Sequence, residues 1–333
     1  MNGRDDGRVV FFCGAGISIG TGLPDFADLL SQMYERTGQR PTGLEADLRE
    51  RGQLDKVFGL LEERLAPGLL RKEVVARLSE SPTGPLDVHQ AIITLSQTPN
   101  GVARLVTTNF DDRFERCAAG SVALDSAPKL PIPKPHGWAS IVHLHGRIQK
   151  AQLGDHLVFT AADFGRAYLT ERWAARFITE LFREFTPVFV GYSLNDPVLS
   201  YMVDALAAER SRGAHFQTAY AFADYKAGEA GRKKAEIAWR GKNVEPILFH
   251  SRGKFARLNK TLIGWARICR DPLSTRRQIV LQGIKRLPGS ADAASPDRVC
   301  WAVSDAAIAE TLAEAAPVDR ESDYAKIVAW LEA

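Results

Sequence analysis

Four stretches of the chain run from apolar residues into side chains that can do chemistry. FFCGAGISIGTGLPDF (residues 11–26) passes from strand-formers into Gly14-Ala15-Gly16, then Ser18, then Leu23-Pro24-Asp25-Phe26. VTTNFDDRFE (106–115) runs into Thr108, Asn109 and Asp111, IVHLHGRI (141–148) into His145-Gly146, and VFVGYSLNDPVL (188–199) into Gly191 and Ser193. A glycine cluster costs folding entropy and marks a place where backbone must approach something closely. Between a strand and a helix, such a turn offers N–H groups to a pyrophosphate. Polar residues at the carboxyl end of a strand sit where open α/β sheets bind ligands. A histidine there can move a proton near neutral pH. Ser193 and its turn suit a second phosphate or a ribose.

Each stretch also has a purely structural explanation. The glycines can form a tight turn, since the spacing is not a full GxGxxG and lacks the Lys-Ser/Thr of a P-loop. Asp25 can cap the next helix, with a hydrophobic staple beside it. Asn109 or Asp111 can cap another, and Asp196 before Pro197 makes a good cap in its own right. A lone histidine is more often a satisfied core or surface residue; strand alternation would put His143 and His145 on one face. Four separate structural explanations are needed to remove the chemistry from all four stretches.

The elements that must position these residues alternate. Short apolar runs predict strands over 8–13, 103–107, 141–144, 157–159, 188–190, 218–222 and 244–249. Helical spacing falls at 25–34, 88–95, 171–185, 197–208 and 255–268. The alternation predicts an α/β fold, a Rossmann-like doubly wound parallel sheet with helices on both faces. Residues from about 40 to 98 carry amphipathic pieces such as VFGLLEERL and LRKEVVARL without a convincing strand, predicting an inserted helical subdomain. RLPGSADAASPDRV reads as a linker, so the catalytic domain is expected over 1–272 and a linker with a short helical C-terminal extension over 273–333. The helix-like pieces in that extension are too short for a domain, and they read as the start of a further one.

Composition narrows the function. A net charge of only +3 argues against a dedicated nucleic-acid binder. No apolar run is long enough to span a membrane, and MNGRDDGR carries no apolar signal segment, so a cytoplasmic location is expected. The four cysteines, Cys13, Cys117, Cys269 and Cys300, are scattered without a CxxC pair, so no zinc site built from paired thiolates is expected.

GAGIS, GLPDF, TTNFD, LHG and GYSLND, in this order, resemble the sirtuin NAD-binding signature across roughly residues 8 to 270. The resemblance implies a Rossmann-like sheet with a smaller inserted domain, which binds NAD as substrate and breaks the nicotinamide–ribose bond. Carried over position by position, it places Gly14, Ala15, Gly16 and Ser18 along the pyrophosphate and adenine ribose. Asp25 and Phe26 fall on the loop over the nicotinamide ribose, and Asn109 and Asp111 beside the nicotinamide pocket. His145 falls on the general base, Gly191 and Ser193 on the phosphate turn. His136-Gly137 is a rival pair, but PIPKPHGW reads as a loop. Three features depart from protein-deacylating sirtuins: Ala27 replaces an Arg, Thr108 replaces a Gln, and the zinc module held by two CxxC pairs is missing. The GYSLNDP and TTNFD variants look like the divergent sirtuin-like domains of bacterial anti-phage systems, some of which hydrolyse NAD outright and deplete the infected cell (abortive infection).

The expected catalytic pair is therefore Asn109, holding water or the ribose 3′-hydroxyl, and His145, accepting a proton near neutral pH. The expected reaction is NAD hydrolysis, under restraint by homo-oligomerisation or by a fused or partner sensor. Two other readings stay open on these residues: an NAD-dependent deacylase with a differently built peptide groove, and a module that binds NAD or ADP-ribose without turnover. An ordinary dehydrogenase is disfavoured because no acidic residue is clearly placed at the end of a second strand. GYSLN is not a GxSxG nucleophile elbow.

Overall fold

The structure is a computed structural model that describes residues 6–148, 156–192, 202, 213, 216–226, 228–251, 255–283, 296–304 and 308. The chain divides into two compact units, residues 1–262 and 263–333. The division falls inside a helix, Ala256–Arg270, ten residues before the boundary that composition suggests.

In the first unit the described residues form a seven-stranded parallel sheet: β1 (Val9–Cys13), β2 (Leu105–Thr107), β3 (Ala123–Ser126), β4 (Ser140–His143), β5 (Thr186–Val190), β6 (Ala219–Tyr225) and β7 (Val244–His250). Their order is β3-β4-β2-β1-β5-β6-β7. After β1 the chain builds one wing through β2, β3 and β4, then crosses back to lay β5 on the other side of β1. The gap between β1 and β5 is therefore the topological switch point, where a doubly wound sheet opens a crevice. Register sharpens it: Cys13 lies opposite both Thr107 and Val190, and Thr107 opposite His143. The turns that follow, starting at Gly14, Thr108, Leu144 and Gly191, leave the sheet side by side.

The central strands are buried on both faces, which is why VVFFC and TPVFV read as continuous apolar runs. Phe12 and Phe189 meet across the β1–β5 pair with ring centroids 5.2 Å apart, within a core that also holds Phe177, Leu181 and Phe185 of the segment preceding β5.

Between β1 and β2 lie α1 (Phe26–Thr37), α2 (Gly43–Glu50), α3 (Leu54–Glu63), α4 (Leu69–Leu78) and α5 (Asp87–Leu95), and α6 (Arg113–Ala118) follows β2. Helix α2 opens on a capping box, with Thr42 and Glu45 bonding each other's backbone N–H groups. Four of these helices do not lie over the sheet as an ordinary crossover would. They close a second apolar core around Leu30, Met33, Phe58, Leu61 and Val74, which Leu157 and Phe159 complete from later in the chain.

That completion explains a strand that does not form. Leu157–Phe159, expected as a strand, is an irregular segment before α7 (Ala161–Gly165). Its side chains are apolar because they reach two cores, Val158 one and its neighbours the other. Its backbone is satisfied outside the sheet: Val158 N–H donates to His145 C=O at 2.9 Å, and Phe159 and Thr160 N–H donate to the Asp163 carboxylate at 3.3 and 3.1 Å. In contrast β3, ALDS at the sheet edge, forms without an apolar run. The expected helix at 197–208 lies outside the described residues except for Met202.

After α7 come a π-helical turn (Arg166–Thr170), α8 (Trp173–Glu184), α9 (Gly228–Arg240) and α10 (Ala256–Arg270). The second unit contains α11 (Pro272–Gly283) and α12 (Pro296–Val303), packed on Ile279, Val280 and Ala302, with the Arg276 guanidinium 4.3 Å above the Trp301 ring. Among the described residues no helix is long and apolar enough to cross a membrane.

Candidate active site

A cavity of about 650 Å³ opens along the carboxyl ends of the strands of the first unit. It runs from His145 after β4, past Asn109 and Asp111 after β2 and Ala15–Ser18 after β1, to Gly191 and Tyr192 after β5, then to Asp224 on β6 and Phe249 on β7. Asp25 and Phe26 line it too, so the structure gathers most of the sequence-picked residues around one space. Gly14 lies just behind the lining, and Ser193 falls outside the described residues.

The glycines answer first to the protein's own backbone. A Cβ on Gly16 would sit 2.8 Å from Gly191 O and 2.9 Å from Gly191 Cα; one on Gly14 would sit 2.9 Å from the same oxygen. Gly191 itself has φ +77°, the left-handed region that favours glycine. The two strand-end turns at the switch point thus pack backbone on backbone, tied by Gly14 N–H to Val190 O (2.9 Å) and Gly16 N–H to Gly191 O (3.0 Å). Ile17 and Ser18 N–H bond back to Gly14 O and Ala15 O within a 3-10 turn. Most amides of this turn are therefore spent internally, and Ala15 N–H is the one left without a partner among the described residues.

Ser18 is a buried node at the edge of the cavity. Its hydroxyl donates to Asp111 Oδ2 at 2.9 Å, accepts from Asn109 Nδ2 at 3.2 Å, and lies 3.2 Å from His89 Nε2. A hydroxyl has one hydrogen and two lone pairs, so these three partners saturate it. The count makes His89 the Nε2–H tautomer, which agrees with a buried His89 Nδ1 that has no partner. Ser18 thus lines the cavity with its hydroxyl committed to the side chains around it.

The same count sets the chemistry of Asn109. Its Nδ2 gives one hydrogen to Gly14 O (3.1 Å) and the other to Ser18 Oγ. The group that remains is the carboxamide oxygen, an acceptor. Asp111 holds its ring of donors through Oδ1 as well, from Arg113 N–H at 3.0 Å. Burial pushes the Asp111 carboxyl above its ordinary value, opposed by the bonds from Arg113 N–H and Ser18 and by the Arg113 charge.

His145 lines the cavity against an apolar wall of Val158 and Phe164. Its Nε2 lies 2.9 Å from Tyr168 OH, which the π-helical turn presents, and the Phe164 ring stands edge-on to it. Burial drives its pKa down to about 3, against the pull of Asp163. In this structure His145 is held by the Tyr168 hydroxyl, and burial favours its neutral form. His143 does not share its face. Strand β4 ends at His143, and the chain turns at Gly146 (φ +88°). His143 sits behind the site with Nδ1 3.0 Å from Asn109 O and Nε2 3.4 Å from Glu115 Oε1 without a hydrogen bond, and burial lowers its pKa to about 4. The rival His136 is exposed in a turn away from the lining.

Asp25 caps α1, accepting from Asp28 N–H at 2.8 Å, while it faces the cavity. Phe26 is anchored on the Phe58 ring, centroids 4.9 Å apart, so the loop it belongs to is tied to the inserted helices. Residues that the sequence did not single out are His89, Tyr168 and Tyr192. Tyr192 OH bridges Thr108 Oγ1 (2.8 Å) and Cys13 O (3.3 Å) and ties the β2 turn to the switch point. His89 had one signal, a histidine on the buried face of the apolar helix DVHQAIITL.

Cys13 is buried, and burial raises its thiol pKa well above the ordinary value. Among the described residues no group of three or more His, Cys, Asp or Glu side chains is set to hold a metal ion.

Residues 103–247 match the family model described as SIR2-like domain, a span from just before β2 into β7. A curated relative, the uncharacterized protein y4cA of Sinorhizobium fredii (strain NBRC 101917 / NGR234), is 33% identical over 288 residues, 83% of this chain. The match spans only 24% of that relative's length. Among solved structures, a Sir2 homologue in complex with NAD aligns at 17% identity and TM-score 0.35, covering 79% of this chain and 92% of its own. An ADP-ribose complex of a Sir2 homologue variant aligns at 18% identity and TM-score 0.40, covering 80% and 93%.

Proposed function

We propose that this chain, sirtuin-like through the SIR2-like domain at residues 103–247, is an NAD glycohydrolase. The bond broken joins nicotinamide to ribose. Nicotinamide leaves neutral with the bonding electron pair, the ribose carbon takes on oxocarbenium character, and water adds to give ADP-ribose and a proton. The observation that carries the reading is the state of Asn109: both amide hydrogens are fixed, and only its carbonyl oxygen remains, in a cavity that His145 also lines. An oriented acceptor holds a water or the ribose 3′-hydroxyl by its hydrogen, which positions the nucleophile. Asp111, in its ionised form, supplies negative charge near the developing cation. The turns at Gly14–Gly16 and Gly191 leave room for the pyrophosphate, and Asp25 and Phe26 cover the nicotinamide end.

A neutral His145 held on Tyr168 shapes the wall of the pocket and hydrogen-bonds there.

An unrestrained enzyme of this kind would empty its own cell of NAD. Restraint by self-association or by a sensor partner is therefore part of the proposal, as is a role as the NAD-depleting effector of a bacterial anti-phage system. The test is free nicotinamide released from NAD by the purified chain and by Asn109→Ala, with no peptide present. Release that is lost in the variant, while its circular dichroism is unchanged, supports the reading; release that survives in Asn109→Ala, or that begins only when an acylated peptide is added, overturns it.

A further inference from the structure

We infer that Tyr168 is a positioning residue: its hydroxyl donates to His145 Nε2, holds the imidazole as the Nδ1–H tautomer, and so makes His145 a hydrogen-bond donor to the ribose. The ribose contact rests on the proposed NAD reading; the tautomer rests on the geometry alone.

Two aromatic rings box the imidazole. Phe164 and Tyr168 both stand edge-on to it, with ring centroids 5.4 and 6.0 Å away and interplanar angles of 87° and 80°. Tyr168 OH lies 2.9 Å from Nε2. Between a phenol and a neutral imidazole the stronger bond runs from O–H to ring nitrogen, since the phenol is the more acidic donor and the nitrogen the better acceptor. A neutral imidazole carries one ring hydrogen, so an accepting Nε2 places it on Nδ1. His145 Nδ1 has no hydrogen-bond partner among the described residues. Nor is it one of the buried, unpartnered ring nitrogens, which are His89 Nδ1 and His143 Nε2. It therefore opens on the cavity that His145 lines.

The backbone is shaped to deliver the Tyr168 hydroxyl. Tyr168 is the middle residue of the π-helical turn Arg166–Thr170, a rare conformation that widens one turn of a helix and re-aims its side chains. The turn is anchored at its first residue: the Asp163 carboxylate accepts from Arg166 Nη2 at 2.7 Å and from Arg71 Nη2 of α4 at 3.0 Å. The site then holds two complementary groups. Asn109 keeps only its carbonyl oxygen, an acceptor, and His145 offers an N–H. Each ribose hydroxyl both donates and accepts, so neighbouring hydroxyls of one ring can use a partner of each kind.

The experiment records ring-nitrogen NMR spectra of the chain carrying isotope-labelled histidine, with and without ADP-ribose, for the intact chain, Tyr168→Phe and Leu169→Ala. The His145 signals are identified by their loss in His145→Gln, and nicotinamide release from NAD is followed in parallel. Leu169, 73% exposed on the same turn, controls for disturbance of the turn itself. The expected result is a protonated Nδ1 and a bare Nε2 in the intact chain and in Leu169→Ala, with the Nδ1 signal moving when ADP-ribose binds. Tyr168→Phe should show both tautomers. It should also lower kcat by about three- to tenfold with KM within about twofold, the scale of one neutral hydrogen bond. An Nε2–H tautomer in the intact chain, an unmixed Nδ1–H tautomer or unchanged kcat in Tyr168→Phe, or the same losses in Leu169→Ala, overturns the assignment. ADP-ribose that binds without moving Nδ1 removes the ribose contact while the NAD reading stands. ADP-ribose that does not bind removes that reading and the ribose contact together, and the tautomer signals alone then decide the role of Tyr168.

Discussion

Around Asn109, hydrogen-bond capacity decides what each group can do. Ser18, Gly14 O and His89 use up the donors and acceptors that would otherwise compete for the ligand, and what survives is one oxygen. The same burial makes the site sensitive to acid. His89, His143 and His145 are depressed from 6.5 to about 4, about 4 and about 3. A histidine with a lowered folded pKa stays neutral in the native state while the unfolded chain takes up a proton. Its contribution to stability is full above pH 6.5 and is lost as pH falls toward the folded value. At 1.36 kcal/mol per tenfold, each histidine should remove about 2 kcal/mol of unfolding free energy between pH 7 and pH 5. Urea titrations at the two pH values check this; a flat profile would mean that these imidazoles are not buried neutral. Replacing His89 with Phe should lower kcat by about tenfold or more with KM nearly unchanged, because Ser18 loses one donor while Asn109 and Asp111 lose their fixed neighbour.

Elements bring these residues together through contacts that can be broken singly. Gly16→Ala should cost about 1–3 kcal/mol, since the new Cβ would press on the Gly191 backbone, whereas Gly20→Ala, with nothing within 4 Å, should cost far less. Chemical denaturation of the two variants separates a packing requirement from a general dislike of side chains in the turn. The inserted helices reach the site by another route. Arg71 of α4 bonds Leu157 O at 3.0 Å and pairs with Asp163 Oδ2 at 3.0 Å, and Leu157–Phe159 carries Val158, which bonds His145. Arg71→Leu leaves Asp163 buried without that partner and should destabilise by about 3–5 kcal/mol, read by thermal and urea unfolding. Much of this level was legible in the sequence. Polar residues at the ends of apolar runs located the strand-end turns because a parallel sheet delivers all its carboxyl ends to one edge. The backbone partners of Leu157–Phe159 were not legible, since an apolar triplet looks the same whether its N–H groups go to a strand, a carbonyl or a carboxylate. Nor were Tyr168 and Tyr192, whose hydroxyls act only through neighbours far along the chain. The glycines were read as room for a phosphate, and the structure shows that they first make room for each other.

For the whole molecule, the cavity belongs to the first of two compact units, and the chain corresponds to about a quarter of the relative y4cA. The reaction proposed for that unit needs NAD and water alone. The measurement that bears on it most directly is product analysis with NAD in the presence and absence of an acetyl-lysine peptide, resolving ADP-ribose from acetylated ADP-ribose. The expected result is ADP-ribose as the sole product, formed at the same rate with and without peptide and at least about a hundredfold more slowly by Asn109→Ala. Nicotinamide release that begins only when the peptide is added, with acetylated ADP-ribose as its product, would contradict it.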